Sequence, residues 1–552
     1  MVSPALPAPE GLSLAEQVAQ MVVVRASGHL FDHEIRYPAW EADRATLTHY
    51  ITDLGIGGVI LLGGSAAEVG LKTQDLQTQT KIPLLIAADI EEGVGQRFSG
   101  ATWFPPPMAL AAIAQQDRSK ALDYATAMGS VTAAEALAIG LNWVLAPVVD
   151  VNNNPLNPVI NVRAFGDRPE LVAALTEAFL RGARRHNILT TAKHFPGHGD
   201  TALDSHLELP RLSQDLARLK AIELPPFAAA IAAGVEAVMT AHLHIPALDG
   251  RYPATLSAPT LTGLLRQEMG FDGLIVTDAL VMGAITRSYG PYEAAVLAIE
   301  AGADVLLMPP HPEGAIAAVV EAVNTGRLSP ERILASVERL WRAKQRVGAG
   351  LIGRPDSCHA WEHVPPPPVQ FDQVAQPASQ QLAARVVADS MTVVGSVPPC
   401  RPMQPGDNLV LVDQVIDCSA LGRTAPALTW PEQYHYRLKL IDHQGCQQWP
   451  QAAALRPSLV QLFIRGNPFR GSATVSSLAI AWVETLLAAD LLRGLILYGS
   501  PYAFADLRSR LGEPVPLGFT YGQMPVAQSL MLTALGLPRP QGPANASNPF
   551  TD

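Results

Sequence analysis

The chain has 552 residues, 48% of them hydrophobic and 16% charged, with a formal net charge of −11 at pH 7. That length exceeds one ordinary domain, and that composition suits a packed core rather than a disordered chain. The acidic balance, with no basic run to break it, argues against a nucleic-acid or anionic-membrane partner.

The N-terminal stretch MVSPALPAPEGLSLAEQ has neither a basic start nor an apolar run, so no secretory signal is read there. No uncharged apolar stretch has the 18 residues a membrane span needs. The four cysteines, Cys358, Cys400, Cys418 and Cys446, form no C-x-x-C pair and read as isolated thiols of a reducing compartment. A cytoplasmic protein is predicted, and its oligomeric state is left open.

From about residue 10 to 350, short apolar runs alternate with helix-like stretches. The runs are QMVVV (20–24), GGVILL (57–62), PLLIAAD (83–89), NWVLAPVVD (142–150), ILTTAKH (188–194), EAVMTAHLH (236–244), GLIVTD (273–278) and ADVLLM (303–308). Continuous apolar strands want both faces covered, as in a parallel sheet with crossover helices. Segments 119–140 and 169–187 carry helical patterns between them. Eight such units over this length predict an α/β fold of the (β/α)8 TIM-barrel type, with an open doubly wound sheet as the alternative. Residues 351–370 end in four prolines and predict a linker, because proline fixes φ and removes a backbone donor. Residues 371–540 alternate again, with runs at 391–395, 408–413, 459–466 and 494–501 and helical stretches at 475–490 and 526–536, predicting a smaller α/β sandwich-like domain. The tail 541–552 is predicted to be disordered.

Polar residues collect at the C-terminal ends of five of the eight runs: Asp89, Asp150, Lys193 with His194, His242 with His244, and Asp278. In a barrel those ends converge on the face where active sites sit. A single such residue reads equally well as a cap for the next helix; five together point to a site. His242 and His244 alternate along a strand, so one of them is expected inside the barrel and the other in packing. The densest cluster is KHFPGHGDTALDSH (193–206), which holds three of the chain's 14 histidines. A metal site from His194, His198, Asp204 and His206 is conceivable, but His194 and His198 straddle Phe-Pro-Gly and cannot share a helical face as H-E-x-x-H does. No metal and no cofactor are therefore expected. His198, between two glycines, is expected to hold the loop's shape, and the glycines to let the loop close over a substrate.

KHFPGHG followed by DSH resembles the signature of glycoside hydrolase family 3, in its β-N-acetylglucosaminidase branch. DIEEGVGQRF (89–98), NVRAFGDRPE (161–170), AVMTAHLHIPALDGRYPATLS (237–257) and GFDGLIVTDALVMGAI (270–285) resemble further family segments, in family order, across residues 10–345. The resemblance implies a retaining exo-β-N-acetylglucosaminidase that releases terminal β-linked GlcNAc, with muropeptide recycling as its setting and a small glycan as its only partner. It implies Asp278 as the nucleophile that forms a glycosyl-enzyme. It implies Asp204 and His206 as an acid/base dyad, the aspartate orienting the ring and an imidazole of ordinary pKa near 6.5 suiting proton transfer at neutral pH. It implies Asp89, Arg97, Arg163, Lys193 and His194 as substrate-binding residues. Salt bridges that position loops are the plain alternative for the two arginines.

Two departures from the family pattern stand out. Ala279 follows Asp278 where a second aspartate is frequent, and Ile90 and Glu92 differ within the acidic segment. The sequence leaves three rival readings open: a β-N-acetylglucosaminide phosphorylase, a β-glucosidase on the same fold, and a catalytically silent sugar-binding module.

Overall fold

The structure, a computed structural model, describes residues 6–201, 209–348, 368–416, 418–442, 448–451, 454–465, 474–511 and 515–539. Among these the chain divides into two compact units, one running through Ala383 and the other starting at Ala384.

In the first unit each apolar run becomes a strand: β1 Val22–Ser27, β2 Gly58–Leu62, β3 Leu85–Ala88, β4 Trp143–Val144, β5 Leu189–Phe195, β6 Ala237–Thr240, β7 Leu274–Val276 and β8 Leu306–Leu307. They form one eight-stranded sheet in the order β7-β6-β5-β4-β3-β2-β1-β8, every pair parallel. A further parallel bridge joins Val276 to Val305, so β7 meets β8 and the sheet closes into a barrel. Every residue of β5 is buried, which is why these strands read as unbroken apolar runs rather than as alternation.

The helices between strands start where the sequence supplies caps. Ser13 and Ser65 each form a capping box, with Glu16 and Glu68, ahead of helices Leu14–Gln20 and Ala66–Gln79. Helices Arg118–Ala138 and Pro169–Ala183 approach each other closely. A Cβ on Gly129 would strike the Phe179 carbonyl, and one on Gly182 would strike that of Thr126, so only glycine permits this packing. Residues 371–383, grouped by sequence with the C-terminal part, sit with the barrel. The Gln370 N–H donates to the Ala138 carbonyl, and the Ala375 N–H to Glu135 Oε1.

The second unit is a six-stranded sheet. Its strands are β9 Thr392–Val394, β10 Gly406–Val412, β11 Tyr436–Asp442, β12 Ser458–Ile464, β13 Leu492–Gly499 and β14 Leu517–Thr520, in the order β11-β10-β12-β13-β14-β9. Only β9 runs antiparallel to its neighbour. Leu411, Leu462, Leu497, Trp482, Phe504 and Phe519 anchor its core. The two helices read from the sequence here are Ser477–Ala488 and Pro525–Ala534. No described helix in either unit is long and apolar enough to cross a membrane.

Candidate active site

The polar residues at the strand ends assemble on the C-terminal face of the barrel. Asp89 follows β3, and Glu91 lies two residues on. Lys193 and His194 are the fifth and sixth residues of β5. The Lys193 ammonium donates to Asp89 Oδ1 at 2.7 Å and lies 2.7 Å from Glu91 Oε1. Arg163 grips both oxygens of Glu91, Nε to Oε2 and Nη2 to Oε1, each at 2.8 Å, and its Nη1 donates to the Val159 carbonyl at 3.1 Å. The result is a four-residue charge network in which only the Asp89 carboxylate is substantially open, with 32% of its side chain exposed.

Burial disfavours charge on each of these groups, and their partners overturn it. Burial pulls the Lys193 ammonium down, but the carboxylates of Asp89 and Glu91 leave its pKa above the usual lysine value. Burial pushes Glu91 up, but Arg163 and Lys193 hold it well below the usual carboxylate range. Arg163 is likewise raised by Glu91 against its own burial. A guanidinium has five N–H donors. Three are spent on Glu91 and Val159, and two remain. Arg97 is exposed, and its Nε donates to the Asp89 backbone carbonyl at 3.0 Å.

Asp150, at the exit of β4, is fully buried. Its Oδ2 accepts from His194 Nδ1 at 2.8 Å, and its Oδ1 accepts from the backbone N–H of His198 at 2.7 Å and of His194 at 3.2 Å. The peptide bonds Lys193–His194 and Phe195–Pro196 are cis. Asn157 holds the loop next to this anchor, donating to the carbonyls of His198 and Gly199 at 2.8 and 3.0 Å. Gly199 lies so close to the Val151 carbonyl that no Cβ would fit. His198 is buried with Nδ1 2.8 Å from Thr201 Oγ1. Burial pushes its pKa down to about 4, so at neutral pH it is an uncharged support for the loop. Asp204 and His206, the dyad read from the sequence, lie outside the described residues.

Asp278 stands two residues past the end of β7, partly exposed. A buried chain of polar groups brackets its backbone. The Asp278 N–H donates to Thr240 Oγ1 at 3.3 Å; Thr240 Oγ1 is 2.8 Å from Thr255 Oγ1; and Thr255 Oγ1 is 2.8 Å from His242 Nδ1. His242 Nε2 reaches the Ala279 carbonyl at 3.1 Å. A carbonyl only accepts, so His242 Nε2 carries the proton that faces Ala279, and the Thr255 hydroxyl also lies 3.0 Å from the Ala241 carbonyl, to which it can donate. Of the two strand histidines, His242 is therefore the buried one beside Asp278. His244 is partly buried and bonded through its backbone N–H to the Pro210 carbonyl.

Glu92 is fully buried and accepts from Trp103 Nε1 at 3.0 Å, so this departure from the family pattern is built into the fold. A cleft of about 470 Å3 opens between the exits of β1 and β8, lined by Arg25, Trp40, Glu41, Tyr50, Val281 and Met308. Among the described residues, His29, Glu34 and Glu68 are the one group with the spacing of metal ligands, and they lie outside the 193–206 motif.

The sequence signal of polar strand ends found Asp89, Lys193, His194 and Asp278. It also marked Asp150 and His242 without giving either a task. Glu91, the counter-ion of both Lys193 and Arg163, was visible only as a member of the acidic segment.

The family model described as "Glycosyl hydrolase family 3 N terminal domain" matches residues 13–343, which contain the whole of this site. The chain belongs to glycosyl hydrolase family 3. The model described as "Bacterial Glycosyl hydrolase family 3 C-terminal domain" matches residues 400–536 of this family member, within its second unit. Among curated relatives, "Beta-hexosaminidase A" of Pseudoalteromonas piscicida is 35% identical over 332 residues, covering 54% of this chain and 55% of that protein. A "Beta-hexosaminidase" of Alkalilimnicola ehrlichii is 38% identical over 283 residues, covering 50% of this chain and 81% of its own length. The chain thus spans about half the length of the first of these relatives. A solved glycoside hydrolase family 3 β-N-acetylglucosaminidase from Paenibacillus sp. str. FPU-7 is similar in structure, with a TM-score of 0.75 and 30% identity, covering 96% of this chain and 97% of that one.

Proposed function

We propose that this family 3 member is a retaining exo-β-N-acetylglucosaminidase that releases terminal β-linked GlcNAc. The observation that carries the reading is the Asp278 carboxylate at the end of β7, its backbone bracketed by Thr240 and His242, on the barrel face that also holds the Asp89–Lys193–Glu91–Arg163 network. A nucleophile must hold its direction through two displacements, and bonds to the Asp278 N–H and the Ala279 carbonyl do that for the backbone on either side of the carboxylate. The names of the relatives above support GlcNAc as the sugar.

In this reading the ring in the pocket meets Asp89, which accepts from sugar hydroxyls while Lys193 holds its Oδ1. His194 meets a further hydroxyl through its ring. Arg163 holds Glu91 and has two donors left for the sugar, and Arg97 fixes the backbone of Asp89. Asp278 attacks the anomeric carbon as the leaving oxygen takes a proton from His206, oriented by Asp204. Water, deprotonated by the same imidazole, then releases the sugar with net retention. These side chains supply both catalytic roles, and the reading calls on no cofactor. The cleft beside Val281 and Met308 offers space for a leaving group. Muropeptides in the cytoplasm, with GlcNAc linked to an anhydro-muramyl residue, form the more specific part of the proposal, and the branch resemblance alone supports it.

A 2-fluoro glycosyl donor with a good leaving group tests the chemistry. Mass spectrometry is expected to find one labelled peptide, carrying the sugar on Asp278; a label elsewhere, or none, overturns the assignment. The same enzyme should cleave 4-nitrophenyl GlcNAc in preference to the glucoside. With phosphate present, appearance of GlcNAc-1-phosphate in place of GlcNAc would convert the hydrolase into a phosphorylase. His206→Ala should spare activated aryl substrates relative to natural glycans, because good leaving groups need less protonation. Equal losses on both would remove His206 as the acid.

A further inference from the structure

Asp150 carries no task in the mechanism above, yet both of its carboxylate oxygens are engaged. It is inaccessible to solvent. One oxygen receives His194 Nδ1 at 2.8 Å, and the other receives the His198 backbone N–H at 2.7 Å. Each oxygen also lies 3.2–3.3 Å from the His194 backbone N–H. The surrounding chain is fixed as well, since the Val149 N–H donates to the Lys193 carbonyl at 2.8 Å.

A carboxylate without a proton can only accept. The ring nitrogen it faces must therefore carry a hydrogen, which settles the state of Nδ1 in the neutral and the charged ring alike. We infer that Asp150 is a positioning residue for the sugar: it keeps the His194 proton on Nδ1 and so presents Nε2, the ring's other nitrogen, to a substrate hydroxyl. In the neutral ring Nε2 is then an acceptor, which complements the donors of Lys193 and Arg163 around the same pocket. A hydroxyl both donates and accepts, so a site with both kinds of partner fixes its direction as well as its place. The second oxygen of Asp150 ties this choice to the start of the loop, because residues 199–201 follow directly from the His198 N–H it holds. This inference rests on the reading above that His194 meets the sugar, but its first measurement does not.

Asp150→Asn isolates the effect. An amide keeps one oxygen for the His198 N–H and places an NH2 against His194 Nδ1, which must then accept and move its proton to Nε2. Long-range 1H–15N spectra of histidine-labelled protein, with His194 assigned by its loss in His194→Gln, are expected to show an Nδ1-protonated ring in the unaltered chain and an Nε2-protonated one in Asp150→Asn. A neutral ring protonated on Nε2 in the unaltered chain overturns the inference, whatever the variants do. In kinetics, Asp150→Asn should lower kcat/KM on 4-nitrophenyl GlcNAc by about 10- to 100-fold, the scale of one hydrogen bond to a charged group. On a His194→Gln background it should cost less than about threefold, because the route through the ring is already gone. A full loss on that background would mean that Asp150 acts only by holding the loop, and would overturn the role given to it here. If the unaltered enzyme turns over no GlcNAc substrate while the ring is Nδ1-protonated, the enzymatic reading fails separately.

Discussion

Two lysines of the barrel are buried almost equally, Lys193 with 1% and Lys344 with 4% of its surface exposed, and they sit at opposite ends of the strands. Lys193 ends β5 among carboxylates, and its pKa rises above the ordinary value because Asp89 and Glu91 outweigh its burial. Lys344, from helix Pro330–Val347, reaches under the N-terminal ends of β1, β2 and β3. It donates to Gln20 Oε1 at 2.8 Å, to the Gly57 carbonyl at 3.1 Å and to the Pro83 carbonyl at 2.7 Å. No carboxylate offsets its burial, and its pKa is pushed down to about 7. The same side chain is thus a permanent charge at one end and a structural tether at the other. The difference shows what the C-terminal face has been given: a charge array that keeps its form across the working pH range. At the other end satisfied donors and acceptors are enough.

The comparison breaks first, and by the largest effect, at Asp278. Asp278→Asn should lower kcat/KM at least about 10³-fold, the scale on which a unit of covalent machinery is lost. The thermal unfolding midpoint should stay near that of the unaltered chain, because the side chain is partly exposed. Near-normal turnover would empty the C-terminal face of its assigned chemistry.

Lys193→Met comes next. It leaves Glu91 with Arg163 alone and Asp89 without its cation. Removing one partner from a buried ionic network costs about 3–5 kcal/mol of stability. Loss of the Asp89 contact should lower kcat/KM roughly 10- to 100-fold. Urea unfolding and steady-state kinetics on one preparation measure both. A variant as stable and as active as the parent would show that the network is incidental.

How much of this was visible beforehand follows from the physics of each element. The eight barrel strands were legible because strands covered on both faces read as unbroken apolar runs, and the site's end of the barrel was legible because polar residues closed five of those runs. In the second unit β11 and β14 were not. β11, YRLKLID, alternates apolar and charged residues and lies at the sheet edge with several residues exposed, while β14, LGFT, is only four residues long and includes a glycine. The pairing of Arg163 with Glu91 spans 72 residues of chain and has no local signature. Lys344 did leave a trace. It falls in helical register with Ile333, Val337, Leu340 and Trp341, on the buried stripe of its helix, and a cation on such a stripe announces a buried partner.

His198 gives a smaller effect, read through pH. Its pKa is about 4 when folded, below the ordinary 6.5 of the unfolded chain. The unfolded state therefore binds the proton first as pH falls, and the stability of the first unit should drop between about pH 6.5 and 4, by up to about 3 kcal/mol. Glu91 adds to the loss below its unfolded value, because its folded pKa is lower still. His198→Asn keeps a polar group for Thr201 and should flatten the upper part of that slope while changing turnover at neutral pH only a few-fold. An unchanged pH profile in the variant would mean that the ring is not held neutral.

Lys344→Met should touch turnover least. At pH 7 and 25 °C kcat/KM is expected to stay within about twofold, since no group of the C-terminal face contacts this side chain. The stability change combines two opposing effects: relief of a costly buried ammonium, and loss of the donor that now satisfies the Pro83 carbonyl and Gln20 Oε1, each unpaired group costing about 1–3 kcal/mol, while the Gly57 carbonyl keeps the Leu85 N–H. The telling quantity is therefore its pH dependence. With a folded pKa near 7 and an unfolded value near 10.4, the unfolded chain binds a proton between those limits that the folded chain does not. Stability of the parent should rise with pH across that window, by up to about 1.4 kcal/mol per pH unit from this group. In Lys344→Met that contribution disappears. A parent whose stability is flat from pH 7 to 10 would mean that three oxygen acceptors hold the ammonium as well as the carboxylates around Lys193 do, and the contrast between the two ends of the barrel would then lie in exposure and shape rather than in charge.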